Sequence, residues 1–312
     1  MTVSREIKRA VVTGPTGAIG AQLCRQLISE GCRVYAVVRQ GCGRLGNLPD
    51  DGALEVVECG LDRLGELPKL IDGADAFFHL AWASARYGRD DMPAQIANIS
   101  GCIDAVRAAA ELGCGVFVGA GSQAEYGRHS EPLRPDTPCF PETGYGWAKL
   151  CAGGMSLKEC RRLGLAGVWL RVLSVYGPFD GEGSLINMML DSLLAGEPPK
   201  LTAGEQVWDY LYGGDAARAF VAAARHGRDG AVYPVGSGEG RQLREYAGTV
   251  RDAVAPGVGL QLGAVEYSPQ QVMYLKADIS ALTADTGFRP EVGFNEGIAA
   301  AAEWRRSLGV KA

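Results

Sequence analysis

The segment Ala10-Val11-Val12-Thr13-Gly14-Pro15-Thr16-Gly17-Ala18-Ile19-Gly20 joins an apolar triplet to a stretch of helical periodicity. The triplet reads as a strand. Ala18 to Glu30 reads as a helix, with Ile19, Leu23, Leu27 and Ile28 on one face and Gly31 as its stop. Gly14, Gly17 and Gly20 stand at i, i+3 and i+6. With 44 glycines among 312 residues, such a triplet arises by chance about once in the chain. Placement, not spacing, is informative: glycines between a strand and a helix allow a tight turn, close approach of a pyrophosphate and close helix–sheet packing. The N–H groups of Thr16, Gly17, Ala18, Ile19 and Gly20 then surround a helix N-terminus, where the dipole favours an anion. A ligand-free turn is the competing reading.

Outward from this turn, Arg33–Val38, Leu54–Val57, Ala74–Leu80, Val116–Val118 and Ala166–Val172 read as further strands. Helices 94–112 and 143–163 alternate with them. Short, almost continuously apolar strands alternating with helices imply a parallel sheet covered on both faces, an α/β doubly wound layout. After Tyr176-Gly177-Pro178 the alternation loosens. Helices are expected at 184–194, 215–225 and 295–307, and strands at 207–212 and 231–235. This organisation predicts a dinucleotide-binding domain at 1–178, with 207–236 returning to it. A smaller mixed α/β substrate domain is expected from 179–206 and 237–312, with a cleft at the carboxyl ends of the strands.

Composition narrows the partners. Thirty-one basic and 36 acidic residues give a net charge of −5, which does not suggest nucleic-acid binding. No apolar run is long enough for a membrane span. The nine Cys include no C-x-x-C pair, so free thiols and a cytoplasmic location are expected. With only three His, no cluster has metal-like spacing.

Candidate chemistry lies along the expected carboxyl edge. Tyr145 and Lys149 are four apart and share a helix face. An ammonium beside the phenol would lower the Tyr145 pKa and make it a usable acid–base group. A surface pair is the alternative. Ser122, just beyond the fifth strand, is positioned to orient a carbonyl or alkoxide, or is an ordinary turn serine. Arg39 follows the second strand, where an NAD site usually carries an acid; an Arg suits the 2′-phosphate of NADP, or is a solvated strand end. Cys139 precedes Tyr145 and is weighed as a cleft thiol against a packed one.

Together, TGPTGAIG at 13–20, HLAW at 79–82, Asn98, GSQAEYG at 121–127, YGWAK at 145–149, RVLSVYGP at 171–178 and GEQVWDYLYGGDAARA at 204–219 resemble the extended short-chain dehydrogenase/reductase family, in its nucleotide-sugar epimerase/dehydratase/reductase branch. The resemblance implies a Rossmann-like sheet with a C-terminal domain for a nucleoside-diphosphate sugar, and a homodimer through helices 94–112 and 143–163. It implies a catalytic Ser122, Tyr145 and Lys149. Leu61, Leu80, Ala81, Trp82 and Asn98 are expected to border the cofactor with Arg39, and Gln123, Ser174 and Trp208 the substrate.

Departures qualify the reaction. Gln123 and Ala124 stand where dehydratases of the family carry Asp-Glu, Gly60 where an acid is common, Ser174 where many members have Asn, and Trp208 where an Arg is common. Arg241, Arg244 and Arg289 are other candidates for a sugar diphosphate, or solvated surface groups. The expected activity is NADPH-dependent reduction of a 4-keto-6-deoxy sugar nucleotide. A 4-epimerase with tightly held NAD(H) is the alternative, and a non-catalytic dinucleotide sensor a third reading.

Overall fold

The computed structural model describes residues 4–85, 87–181 and 183–309. Its first half alternates β1 (Arg9–Thr13), α1 (Ala18–Ser29), β2 (Arg33–Val38), β3 (Leu54–Glu58), β4 (Ala76–His79), α2 (Met92–Glu111), β5 (Val116–Ser122), α3 (Gly144–Leu163) and β6 (Ala166–Val172). The second half adds β7 (Ser174–Tyr176), α4 (Leu185–Leu194), β8 (Val207–Trp208), β9 (Tyr210–Tyr212), α5 (Gly213–His226), β10 (Ala231–Val235), β11 (Arg241–Gln242), α6 (Leu243–Val254), α7 (Ser280–Thr286) and α8 (Phe294–Ser307).

Seven strands form one sheet in the order β10-β6-β5-β4-β1-β2-β3, every neighbour parallel. This is a doubly wound, Rossmann-like sheet. The strand order reverses at β1, which pairs with β2 on one side and β4 on the other. Sheets of this kind take ligands at that reversal, outside the carboxyl ends of the strands.

The period-2 geometry of a strand assigns the two faces. Val12 packs with Leu23 and Leu27 of α1 and Phe220 and Ala223 of α5. Its neighbour Val11 packs on the opposite side with Ala105 and Ala109 of α2 and with Phe77 and Phe117. A separate core joins α4, α6 and α8 through Ile186, Leu190, Tyr246, Val250, Phe294 and Ile298.

The segment 207–212 is not one strand as expected. Asp209 splits it. Its buried carboxylate accepts N–H groups from Ser237, Gly238 and Ala277 and the Ser237 hydroxyl, at 2.7–3.1 Å. The flanking pairs then diverge: β8 runs antiparallel to β11, and β9 runs parallel to β7. Asp209 thereby ties this segment to 236–238 and 277. A second difference concerns 280–288, assigned above to the smaller region. Leu282 and Phe288 belong to the core under the large sheet, against α5 and β10.

Candidate active site

Thr13 closes β1 and stitches it to β4. Its Oγ1 lies 2.9 Å from His79 Nδ1 and accepts the Leu80 and Ala81 N–H groups, each at 3.2 Å. Burial, and then the charge of Lys149, push the His79 imidazole down to about 3, so the ring is neutral near pH 7.

The three glycines of the first turn have different reasons. Gly14 has φ +68° and abuts the next loop: a Cβ there would lie 2.8 Å from the Ala81 nitrogen. Gly20 packs on the turn itself, where a Cβ would collide with the Gly14 carbonyl and lie 2.8 Å from Pro15 Cα. Gly17 differs, because a Cβ would meet only the Gly14 oxygen, at 3.6 Å. The protein's own packing therefore explains Gly14 and Gly20 and leaves Gly17 open. Gly17 is also the N-cap of α1, with no side-chain cap and no acid in the first turn. Donors at that helix end suit a pyrophosphate. The Asn47 amide holds the Thr16 carbonyl at 2.9 Å, fixing the turn from the outside.

Arg39 follows β2 immediately. It is exposed, and its guanidinium has no ion pair or hydrogen bond among the described residues. Leu61 begins a 3-10 helix, Leu61–Lys69, and its carbonyl would lie 3.2 Å from a Cβ on Gly101 of α2.

The loop after β4 is pinned from below by two buried amides of α2. Asn98 bonds both polar groups of the Ala83 backbone, at 2.9 and 3.0 Å. Gln95 accepts from Trp82 Nε1 at 2.9 Å and donates to the Ser84 and Gly88 carbonyls. Asn98 in this arrangement positions the loop. Gln95 plays an equal part and escaped the sequence reading, although it lies one turn before Asn98 on the same face.

Ser122 ends β5 and caps the following 3-10 turn, Gln123–Glu125. Its Oγ accepts the Ala124 N–H at 3.2 Å, and its side chain lies on the side of the Tyr145 phenol, whose pKa it lowers. Glu125 fixes this turn from beneath. It is wholly buried and accepts from the Ser122 N–H at 2.8 Å, Trp169 Nε1 at 3.0 Å and Arg171 Nε at 2.7 Å. Nothing in the local pattern of GSQAEYG distinguishes Glu125 as the buried member. Gly153 of α3 leaves room for the Trp169 ring, where a Cβ would lie 2.7 Å from Nε1.

Tyr145 and Lys149 stand one turn apart at the start of α3, whose N-cap Thr143 accepts the Gly146 N–H. Their relation differs from the expectation. Lys149 is 4% exposed and donates to the Ala120 carbonyl at 2.7 Å. Its Nζ lies 3.7 Å from the centre of a Trp82 ring and 5.9 Å from that of Tyr145. Burial pushes its pKa down to about 8. The Tyr145 phenol is raised, not lowered: burial outweighs the Ser122 side chain and the charge of Arg89. The Lys149 ammonium is engaged with Ala120 and Trp82, and with its pKa near 8 it has lost its charge where the raised phenol ionises. Trp82 in turn meets Tyr145 edge-on, ring centres 5.9 Å apart.

On the far side of the sequence, Trp208 Nε1 donates to the Ser174 hydroxyl at 2.8 Å. The two departures noted above are thus partners of each other. Arg241 pairs with Glu239, and Arg244 reaches Gln242 and Glu205. Arg289 borders a surface cavity with Lys276, Ser280 and Thr283. Cys139 is half-buried, and burial raises its thiol pKa, the opposite of an activated nucleophile.

This arrangement has counterparts in known proteins. A family model described as the NAD dependent epimerase/dehydratase family matches residues 10–236. A UDP-glucose 4-epimerase of Mycolicibacterium smegmatis is 29% identical over 96% of this chain and 99% of its own. A dTDP-glucose 4,6-dehydratase of Streptomyces antibioticus is 26% identical over 95% of this chain and 92% of its own. Among solved structures, the Thermus thermophilus UDP-glucose 4-epimerase in complex with NAD superposes with a TM-score of 0.84. It is 26% identical, covering 96% of this chain and 99% of that one. The matched span, residues 10–236, takes in the glycine turn, the Tyr–Lys helix and all seven strands of the large sheet but the first residue of β1, and this chain belongs to the NAD dependent epimerase/dehydratase family.

Proposed function

We propose that the protein carries out nicotinamide-dependent redox chemistry at C4 of a nucleoside-diphosphate hexose, and that its net reaction is NADPH-dependent reduction of a 4-keto-6-deoxy sugar. The observation that carries this reading is the gathering of Ser122, Tyr145 and Lys149 beside the carboxyl end of β5, with β4 between them and the glycine turn that follows β1. Bound at Gly14–Gly20, a nicotinamide dinucleotide would supply the hydride. Ketone, NADPH and one proton give alcohol and NADP. Tyr145 delivers that proton to the C4 oxygen. The Ser122 hydroxyl aligns the phenol and carbonyl. Lys149, held by Ala120 and Trp82, contributes a fixed positive charge beside the site and a donor for the cofactor ribose.

Reduction rather than epimerisation is supported by Arg39, a cation unpaired among the described residues, where a 2′-hydroxyl site would place an acid. Dehydration has less support. Gln123 and Ala124 have no acidic group, and the neighbouring Glu125 is committed to Ser122, Trp169 and Arg171. The second reading, a 4-epimerase using NAD, is favoured by the likeness to UDP-glucose 4-epimerases. The Ser174–Trp208 pair is assigned to the sugar side of the cleft. A homodimer is supported by the apolar groups that α2 and α3 leave exposed, Met92, Ile96, Trp147 and Met155.

The test is incubation with a panel of nucleotide 4-keto-6-deoxy sugars and either NADPH or NADH. Reduction with stoichiometric NADPH consumption is the expected result. Interconversion of 4-epimers without net cofactor use would establish the epimerase. Binding without turnover in either assay would leave a dinucleotide sensor.

A further inference from the structure

Arg89 lies in the loop between β4 and α2. Its guanidinium carbon is 4.7 Å from the centre of the Tyr145 ring. Two backbone donors of α3 clamp this loop: Tyr145 N–H donates to the Arg89 carbonyl, and Gly144 N–H to the Asp90 carboxylate, each at 2.7 Å. Arg89 Nε is shut off from solvent and has no hydrogen-bond acceptor among the described residues. The guanidinium also has no ion-pair partner among the described residues. A guanidinium cannot shed its charge by losing a proton. Arg89 is partly buried, and a cation with part of its guanidinium shut off from water gains when a neighbour becomes negative.

The other groups around Tyr145 are already committed. Lys149, on the same helix, donates to Ala120 and sits over Trp82. Glu125, in the turn after β5, is neutralised by Arg171 of β6. Asp90 is spent on Gly144. His79 of β4 is neutral, and Ser122 and Trp82 carry no charge. Among the described residues, Arg89 at 4.7 Å is nearer the Tyr145 ring than Lys149 at 5.9 Å.

We propose that Arg89 is a positioning residue that stabilises the phenolate of Tyr145, supplying the field that sequence spacing assigns to Lys149. The proposal rests on the reading of Tyr145 as proton donor. After Tyr145 gives its proton to the C4 oxygen, its phenolate faces the guanidinium until solvent returns a proton. The direction of the Tyr145 shift agrees: Arg89 is the charged group that pulls the phenol down against burial. A cation stacked on the ring also fixes the ring's orientation towards Ser122.

The test is a titration that needs no turnover. The full-length protein is labelled with 3-fluorotyrosine and followed by fluorine NMR from pH 6 to 12, with Tyr145→Phe identifying the Tyr145 resonance by its loss. Arg89→Met is expected to raise the midpoint of that resonance by about one pH unit, a roughly tenfold loss of phenolate at a given pH. Arg89→Lys, which keeps the charge, should restore most of the shift. A wild-type midpoint in Arg89→Met would overturn the proposal. So would an equal shift in both variants, which would trace the effect to ring packing. Tyr145→Phe retaining full turnover would instead refute the reading of Tyr145 as the proton donor and leave the titration result standing.

Discussion

Lys149→Met should make the folded protein more stable near pH 7 while abolishing most turnover. The ammonium is 4% exposed, and burial lowers its pKa from 10.5 to about 8. At 1.36 kcal/mol per unit, holding it charged in the folded state costs about 3 kcal/mol. That cost comes from burial, partly offset by Cys102 and Glu125, and the Ala120 hydrogen bond is separate from it. Met has a similar length and no charge, so it removes the cost but loses the bond to Ala120, worth about 1 kcal/mol. The expected gain at pH 7 is about 2 kcal/mol, or about 4 °C in Tm. The sign of the pH dependence follows from the two pKa values. Between about 8 and 10.5 the unfolded chain binds the Lys149 proton and the folded chain does not, so wild-type stability rises with pH through that window. Below pH 8 the full penalty is present in the wild type; above 10.5 it is gone. The advantage of Lys149→Met should therefore shrink as pH rises from 7.5 to 10. Buried tyrosines and cysteines common to both proteins largely cancel in the difference. Urea titrations of both proteins at half-unit pH steps measure it. A variant less stable than wild type at pH 7, or a difference that does not change with pH, would refute the assignment of Lys149 as a strained buried cation.

Gly17→Ala and Gly20→Ala should separate ligand from fold. Gly17→Ala should stay within about 1 kcal/mol of wild type in urea unfolding but weaken dinucleotide binding at least tenfold by calorimetry. Gly20→Ala should lose about 3 kcal/mol, because its Cβ collides with the Gly14 backbone. Arg39→Ala should raise the Kd for NADPH about tenfold and leave that for NADH within twofold, measured by nicotinamide fluorescence. Glu125→Gln should destabilise the protein by about 3 kcal/mol in thermal and urea melts, since it leaves Arg171 buried without a counter-ion.

Much of the fold was legible locally because its strands carry their own signal. A strand covered on both faces is apolar throughout, and Val11 and Val12 satisfy opposite cores without any polar position between them. The glycine turn was legible for the same reason: a strand, three glycines and a helix lie within one short window. The second half was less legible. Leu243, Tyr246, Ala247 and Val250 are the buried positions of α6, at helical spacing, yet frequent Gly and Pro nearby mask the period. The break at Asp209 could not be seen at all. Its reason is three N–H groups from residues 237, 238 and 277, all remote in sequence.

The residues Ser122, Tyr145 and Lys149, the first-turn glycines and the alternation of strand and helix were determined by the sequence, since each depends on neighbours within a few positions. Only the tertiary structure decided how those groups divide the work. It turned Lys149 towards Ala120 and Trp82, brought Arg89 onto the Tyr145 ring, and buried Glu125 under Ser122. Charge effects act through space and depend on burial. A spacing of four along a helix sets which face a lysine shares, whereas the surrounding packing sets where its charge is felt.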